Sequence, residues 1–174
     1  GAQVTLVSAP PALPVPVGAR MVPVQPAQEM LAAVHAEASG ADALLMVAAV
    51  ADFRPKQAAA QKLKKQSGLP VLELEFTPDI LSSLASSPDR PRVVIGFAAE
   101  SRDLLENARA KLQAKKLDLI AANDISASDA GFSVETNRVT LLFADGRQEA
   151  LPLMSKTEVA DTILEHLCIL LEGA

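Results

Sequence analysis

Lysine supplies the most suggestive chemistry in this chain. Lys62, Lys64 and Lys65 fall in a polar stretch, and Lys111, Lys115 and Lys116 fall near the end of a predicted helix. Either cluster could meet a small anion such as a phosphate, because a local concentration of charge matters more than the overall balance. Lys111 and Lys115 stand four apart, so they share one face of a helix, where like charges repel. They also continue the row of Leu104 and Ala108 and therefore border the packed stripe. An anion between them would relieve the repulsion; lysines snorkelling outward from a solvated face would do so too, and spacing alone favours the solvated face. A basic loop over the end of a strand can close onto phosphates, although most basic loops have no such role.

Three further segments place small residues beside a polar one just past an apolar run. They are Ala48 to Arg54 (AAVADFR), Gly96 to Glu100 (GFAAE) and Ala122 to Ile125 (ANDI). Small side chains let a ligand approach the backbone, and the polar ones orient it. Each segment also has an ordinary structural reading, as tight strand–helix packing or a helix cap. Thr77-Pro78-Asp79 reads as a helix start, with a capping hydroxyl, proline at the first helical position and an acid in the first turn. The free N–H groups around Pro78, Asp79 and Ile80 are then a candidate anion or carbonyl contact.

Other reactive residue types point elsewhere. His35 and His166 are far apart, with no Cys or acid cluster around them, so a zinc site or a His-based nucleophile system lacks its parts. Cys168 is the single cysteine, which excludes an internal disulfide framework and fits a reducing compartment such as the cytoplasm. Its place near the apolar face of the last helix predicts a core role. Neither G-x-G-x-x-G nor G-x-x-x-x-G-K-[ST] is present, so no dinucleotide fingerprint or P-loop is in view.

These residues need a scaffold, and the hydrophobic pattern supplies one. Strands are predicted at Val4 to Ser8, Met21 to Val24, Ala43 to Val50, Val71 to Phe76, Val93 to Ala98 and Leu119 to Ala122. The continuous run Ala43 to Val50 reads as a strand covered on both faces. Helices are predicted over Ala27 to Ala38, Thr77 to about Ser86 and Asp103 to Lys116. Val139 to Phe143, the Asp145-Gly146 turn and Glu149 to Leu153 form a hairpin. Ser155-Lys156-Thr157-Glu158 is a capping box that opens a last helix with Val159, Ile163, Leu167 and Leu170 on its apolar face. Asp52 to Gly68 reads as a long polar loop, of the kind that serves as a lid or a binding segment.

Strands alternating with helices define an α/β fold, Rossmann-like and three-layered, with a mostly parallel sheet and a C-terminal β-hairpin. The 174 residues suit one domain, residues 1–174, which opens on what looks like a second strand and so reads as truncated at its N-terminus. Five Phe, no Trp and no Tyr leave the core to Ala, Val, Leu and Ile. A net charge of −5 argues against a broad nucleic-acid surface. No apolar run reaches the roughly 18–20 residues of a membrane span.

The ordered set VTLVSAP, AAVADFRP, KLKK, TPDIL, VIGFAAE, the Lys111/Lys115 helix, LDLIAANDI, the hairpin and the final helix resembles the synthetase domain of bacterial phosphopantothenate–cysteine ligases (phosphopantothenoylcysteine synthetases). The resemblance covers essentially the whole chain. It implies a homodimer that uses CTP and Mg2+ to activate 4'-phosphopantothenate as an acyl cytidylate, which L-cysteine then attacks. It further implies that Met46, Val47 and Ala48 line the nucleotide pocket through their backbone, with Ala49 as a weaker candidate, and that Asp52 fixes the nucleotide. Lys62 takes the catalytic role at the phosphates. Pro78, Asp79, Ile80, Leu81 and Phe97 hold base and sugar, Lys111 and Lys115 grip the nucleotide, and Asn123 is a weaker, substrate-side candidate.

The family's Gly-rich turn, its Ser/Asn-rich substrate segment and the FMN-dependent decarboxylase domain usually fused in front are not in this sequence. The chain alone is therefore expected to be inactive. Ala9 and Phe53 stand where relatives often have Gly and Tyr. Two other readings remain: a dehydrogenase or transferase domain on a generic Rossmann scaffold, and a non-catalytic dimerisation module.

Overall fold

The computed structural model describes residues 1–10, 14–57, 61, 71–126 and 134–173. Lys62, Lys64 and Lys65 lie outside the described residues. In chain order the elements are β1 (Val4–Ser8), β2 (Ala19–Pro23), α1 (Ala27–Ala38), β3 (Ala43–Met46), β4 (Phe53–Pro55), β5 (Leu74–Phe76), α2 (Ile80–Leu84) and β6 (Val93–Glu100). Then come α3 (Leu104–Ala114), β7 (Leu119–Asp124), β8 (Thr136–Asn137), β9 (Val139–Phe143), β10 (Gln148–Ala150), β11 (Met154–Ser155) and α4 (Lys156–Gly173).

The chain divides into two compact units, one of Gly1–Ala33 with Ala49–Ile80 and one of Val34–Ala48 with Leu81–Ala174. In the first, β1 and β2 pair in parallel, Val4 opposite Ala19 through Ser8 opposite Pro23. The ladder is extended by the Val24 N–H, which donates to the Ser8 carbonyl oxygen at 3.0 Å. A second ribbon pairs β4 antiparallel to β5, with Phe53 opposite Phe76 and their ring centroids 5.2 Å apart. Arg54 Nε donates to Glu75 Oε1 across it at 2.7 Å. This strand was not expected: the polar composition of the segment concealed three residues whose ladder partner is far along the chain.

The second unit is built on a five-stranded sheet of order β10-β9-β7-β6-β3. The pairs β3–β6 and β6–β7 are parallel, whereas β7–β9 and β9–β10 are antiparallel. The α/β class and the C-terminal hairpin stand, with parallel and antiparallel pairings evenly split in this sheet. Successive strand residues point to opposite faces, and the core follows that alternation. Val94, Ala98, Ile120, Ala122 and Leu142 meet Ala108 and Leu112 of α3 on one face. Val93, Ile95, Leu119, Ala121, Val139, Leu141 and Phe143 meet Val159 and Ile163 of α4 on the other. The result is three layers.

Local signals set several boundaries. The capping box forms as read: Ser155 N–H donates to Glu158 Oε2 at 2.8 Å, and Glu158 N–H donates to Ser155 Oγ at 3.2 Å. The same serine hydroxyl and N–H hold the Glu158 carboxyl below its ordinary value. The hairpin turns at Gly146, whose φ of 92° only glycine adopts without strain. Other expectations fail. β3 stops at Met46 instead of Val50, and it lies at the sheet edge, bonded only to β6 among the described strands, so Leu45 and Val47 are exposed. α2 spans five residues, Ile80 to Leu84, not the longer helix expected. Cys168 is exposed, because it follows Leu167 around the helix and falls off the buried stripe.

Candidate nucleotide site

Ligands of parallel α/β sheets bind beyond the carboxyl ends of the strands. In the second unit those ends are Met46 of β3, which stops opposite Gly96, and Glu100 of β6 and Asp124 of β7, which pair with each other farther along the sheet. Both β6 and β7 run two residues past the ends expected at Ala98 and Ala122, because Ala99 pairs Asn123 and Glu100 pairs Asp124. Ladder partners, not hydrophobicity, decide where these strands end. The extension carries Glu100 and Asn123 to the sheet's rim. Gly96 stays bare for a packing reason: a Cβ there would meet Leu117 Cδ1 at 2.6 Å.

Lys111 is turned toward this rim. Its Nζ lies 2.5 Å from Glu100 Oε1, with the glutamate side chain 21% exposed. Sequence spacing favoured a solvated face for Lys111 and Lys115 and left an anion between them open; the structure gives Lys111 a carboxylate from its own chain. Glu100 was not among the expected site residues, although it closes the GFAAE segment, because nothing local says that α3 folds back over β6. An exposed pair of this kind contributes about 1 kcal/mol or less, so its value lies in holding the ammonium at the strand tips. Lys115 caps α3, its N–H donating to the Lys111 carbonyl oxygen at 3.0 Å.

The other sheet face bears a different set. Asn123 and Phe97 share it by strand alternation, Phe97 opposite Ala121 and Asn123 opposite Ala99. Phe97 packs against the core on the α4 side. Asn123 is the buried polar residue of the described core, at 8% exposure. Its Nδ2 donates to Asn137 Oδ1 at 3.4 Å, while its own Oδ1 has no hydrogen-bond partner. Met46 packs on the α3 side, and Val47 and Ala48 follow it as exposed backbone. Leu81 is sealed in the core, which leaves a ligand its backbone only.

In the first unit, the Asp52 carbonyl oxygen accepts the Thr77 N–H at 2.8 Å, so Asp52 lies beside the Thr77-Pro78-Asp79 turn. Asp52, Ala49 and Asp79 are exposed, and Ile80 is buried. The expected residues thus form two groups: Ala49, Asp52, Pro78, Asp79 and Ile80 in one unit, and Met46, Val47, Ala48, Leu81, Phe97, Lys111, Lys115 and Asn123 in the other. Among the described residues no three His, Cys, Asp or Glu side chains could together hold a metal ion, and no helix is long and apolar enough to cross a membrane.

A layered α/β domain with charged and amide side chains at the carboxyl ends of parallel strands has a Rossmann-like layout. Comparison narrows the class: residues 1–170 match the model of the DNA/pantothenate metabolism flavoprotein C-terminal domain, and the chain belongs to that family. It is 46% identical over 171 residues to the coenzyme A biosynthesis bifunctional protein CoaBC of Bacillus subtilis (strain 168), covering 98% of this chain and 42% of that protein. The chain thus spans about two fifths of the length of such relatives. Among solved structures, the C-terminal domain of a coenzyme A biosynthesis bifunctional protein CoaBC superposes with a TM-score of 0.81 at 40% identity, covering 100% of this chain and 79% of that one. The DNA/pantothenate metabolism flavoprotein from Streptococcus pneumoniae shares the fold, with a TM-score of 0.78 at 22% identity over 97% of this chain and 82% of that one.

Proposed function

We propose that residues 1–174 are the nucleotide-binding synthetase domain of a cytoplasmic phosphopantothenate–cysteine ligase of coenzyme A biosynthesis. The observation that carries this reading is one rim of the sheet. It gathers Lys111 against Glu100, with Phe97 and Asn123 on the opposite face, in a chain 46% identical to a relative named for coenzyme A biosynthesis. A carboxylate oxygen of 4'-phosphopantothenate attacks the α-phosphorus of CTP, the bond to pyrophosphate breaks, and an acyl cytidylate results. The amine of L-cysteine then attacks the acyl carbon, loses a proton, and CMP leaves with the electron pair of the broken bond. Positioning and charge stabilisation do most of the work in such transfers.

In this reading Lys111 and Lys115 hold the nucleotide from α3, Phe97 lies against its base or sugar, and Asn123 offers an acceptor. Met46, Val47, Ala48 and Ala49 supply backbone contacts, joined by Pro78, Asp79, Ile80 and Leu81, and Asp52 orients the nucleotide. Lys62 stabilises phosphate charge during acyl activation, a role that rests on the resemblance. Mg2+ bound with the nucleotide would supply charge neutralisation at the phosphates, a role that needs no protein cage of several carboxylates. The exposed Phe53, Leu74 and Phe76 of the β4–β5 ribbon supply apolar area for the homodimer. In the bifunctional relatives' arrangement, the partner activity is an FMN-dependent decarboxylase.

Calorimetric titration of the chain with CTP and with NAD tests the reading. CTP should bind in the micromolar to millimolar range and NAD should not; NAD binding without CTP binding would turn the assignment to a dehydrogenase domain. In the complete enzyme, Lys62→Gln should slow acyl cytidylate formation about 100-fold without altering the melting temperature. Unchanged turnover would remove Lys62 from the site.

A further inference from the structure

Among the described residues, the rim of the sheet contains a buried polar atom without a counterpart. Asn123 Oδ1 is buried and accepts no hydrogen bond, although buried polar atoms are nearly always paired and each exception calls for an explanation. Its strand neighbours, Ala99 and Val139, have no side-chain donor to offer. A carboxamide is two-ended, with donors on nitrogen and an acceptor on oxygen, so fixing one end fixes the other. Nδ2 is committed to Asn137 Oδ1 at 3.4 Å. Asn137 in turn is held by the β8–β11 pair, where it stands opposite Met154, and the Arg138 carbonyl oxygen beside it accepts the Asp124 N–H at 3.0 Å. The short strand thus anchors the residue that sets the direction of the Asn123 amide.

We propose that Asn137 is a positioning residue: it holds the Asn123 carboxamide with its oxygen unpaired at the sheet's rim, as the acceptor for an N–H or O–H group of the bound nucleotide. The inference rests on the nucleotide reading above. A donor is what the site lacks, and a nucleoside triphosphate has two kinds, the ribose hydroxyls and an exocyclic base amine. Phe97, on the same face of the neighbouring strand, adds an aromatic surface for a flat ring.

The test is a double-mutant cycle read by calorimetric titration of the 174-residue chain with CTP and with UTP. Asn123→Ala and Asn137→Ala should each weaken CTP binding about fivefold, the scale of one neutral hydrogen bond. The double variant should bind no more weakly than Asn123→Ala alone, because Asn137 acts only through Asn123. A role in stability alone would shift the melting temperature of Asn137→Ala and leave its CTP affinity untouched; that result overturns the proposal, as does full additivity. UTP has the hydroxyls but not the base amine. Loss confined to CTP identifies the amine as the donor, and equal loss for both nucleotides identifies a hydroxyl; either supports the proposal. A wild-type chain that binds no CTP overturns the functional reading itself, an outcome distinct from normal binding with unaffected variants.

Discussion

The two ends of β6 and β7 belong to the same strands, yet they are finished in opposite ways. At the amino ends Asp118 gathers a closed cluster. Asp118 Oδ2 accepts Arg90 Nη2 and the Val94 N–H, each at 2.7 Å, and Arg90 Nη2 also donates to the Lys116 carbonyl oxygen at 2.7 Å. The Asp118 N–H donates to the Val94 carbonyl oxygen at 2.9 Å, and its own carbonyl accepts the Ala144 N–H at 3.0 Å. At the carboxyl ends Asn123 Oδ1 is left without a partner, and Glu100 and Lys111 form a half-buried pair. A polar cluster built for stability closes on itself, whereas one built for a ligand keeps a place for it.

The contrast breaks if the amino-end cluster proves dispensable. Asp118→Ala leaves the Val94 N–H without its acceptor and the Arg90 guanidinium without its carboxylate, in a setting where Arg90 and Asp118 are 23% and 31% exposed. A loss of about 2–3 kcal/mol in urea unfolding is expected, with CTP affinity unchanged at temperatures where the variant is folded. A weakened CTP affinity in the folded variant would mean that the two ends are not separable. Lys111→Gln should do the reverse. Its stability should change by about 1 kcal/mol or less, because the pair with Glu100 keeps contact with solvent. CTP binding should fall about tenfold, and the salt dependence of binding should become shallower. Unchanged binding would reduce the Glu100–Lys111 pair to a surface ornament.

What the sequence revealed follows the range of the forces involved. The capping box at Ser155 and Glu158 and the bounds of Ala27 to Ala38 depend on residues within one turn, and both were legible. The strand at Phe53 was hidden, because its partner Phe76 is distant in sequence and its own neighbours are polar. The rim was half legible. Phe97, Lys111 and Asn123 could be named from residue type at strand ends and from resemblance. That Glu100 meets Lys111, and that Asn137 turns Asn123, depends on how α3 and β8 return to the sheet, for which no local pattern exists.

The smallest expected effect sharpens the comparison from the amino end. α3 finishes in a Schellman arrangement: the Leu117 N–H donates to the Leu112 carbonyl oxygen at 2.9 Å and the Lys116 N–H to the Gln113 carbonyl oxygen at 3.2 Å. The arrangement requires a left-handed residue after the cap, and Lys116 takes it at φ 49°. Its Cβ makes that conformation unfavourable by roughly 1 kcal/mol, a strain glycine does not have. The Lys116 side chain is exposed, and its carbonyl, which Arg90 uses, survives any substitution. Lys116→Gly should therefore raise stability by about 0.5–1 kcal/mol, a gain of roughly 2–3 °C in melting temperature for a chain of this size. CTP affinity should stay the same. A lower melting temperature would show that the lysine side chain offsets its backbone strain; a lower affinity would place Lys116 in the ligand site and erase the division between the two ends.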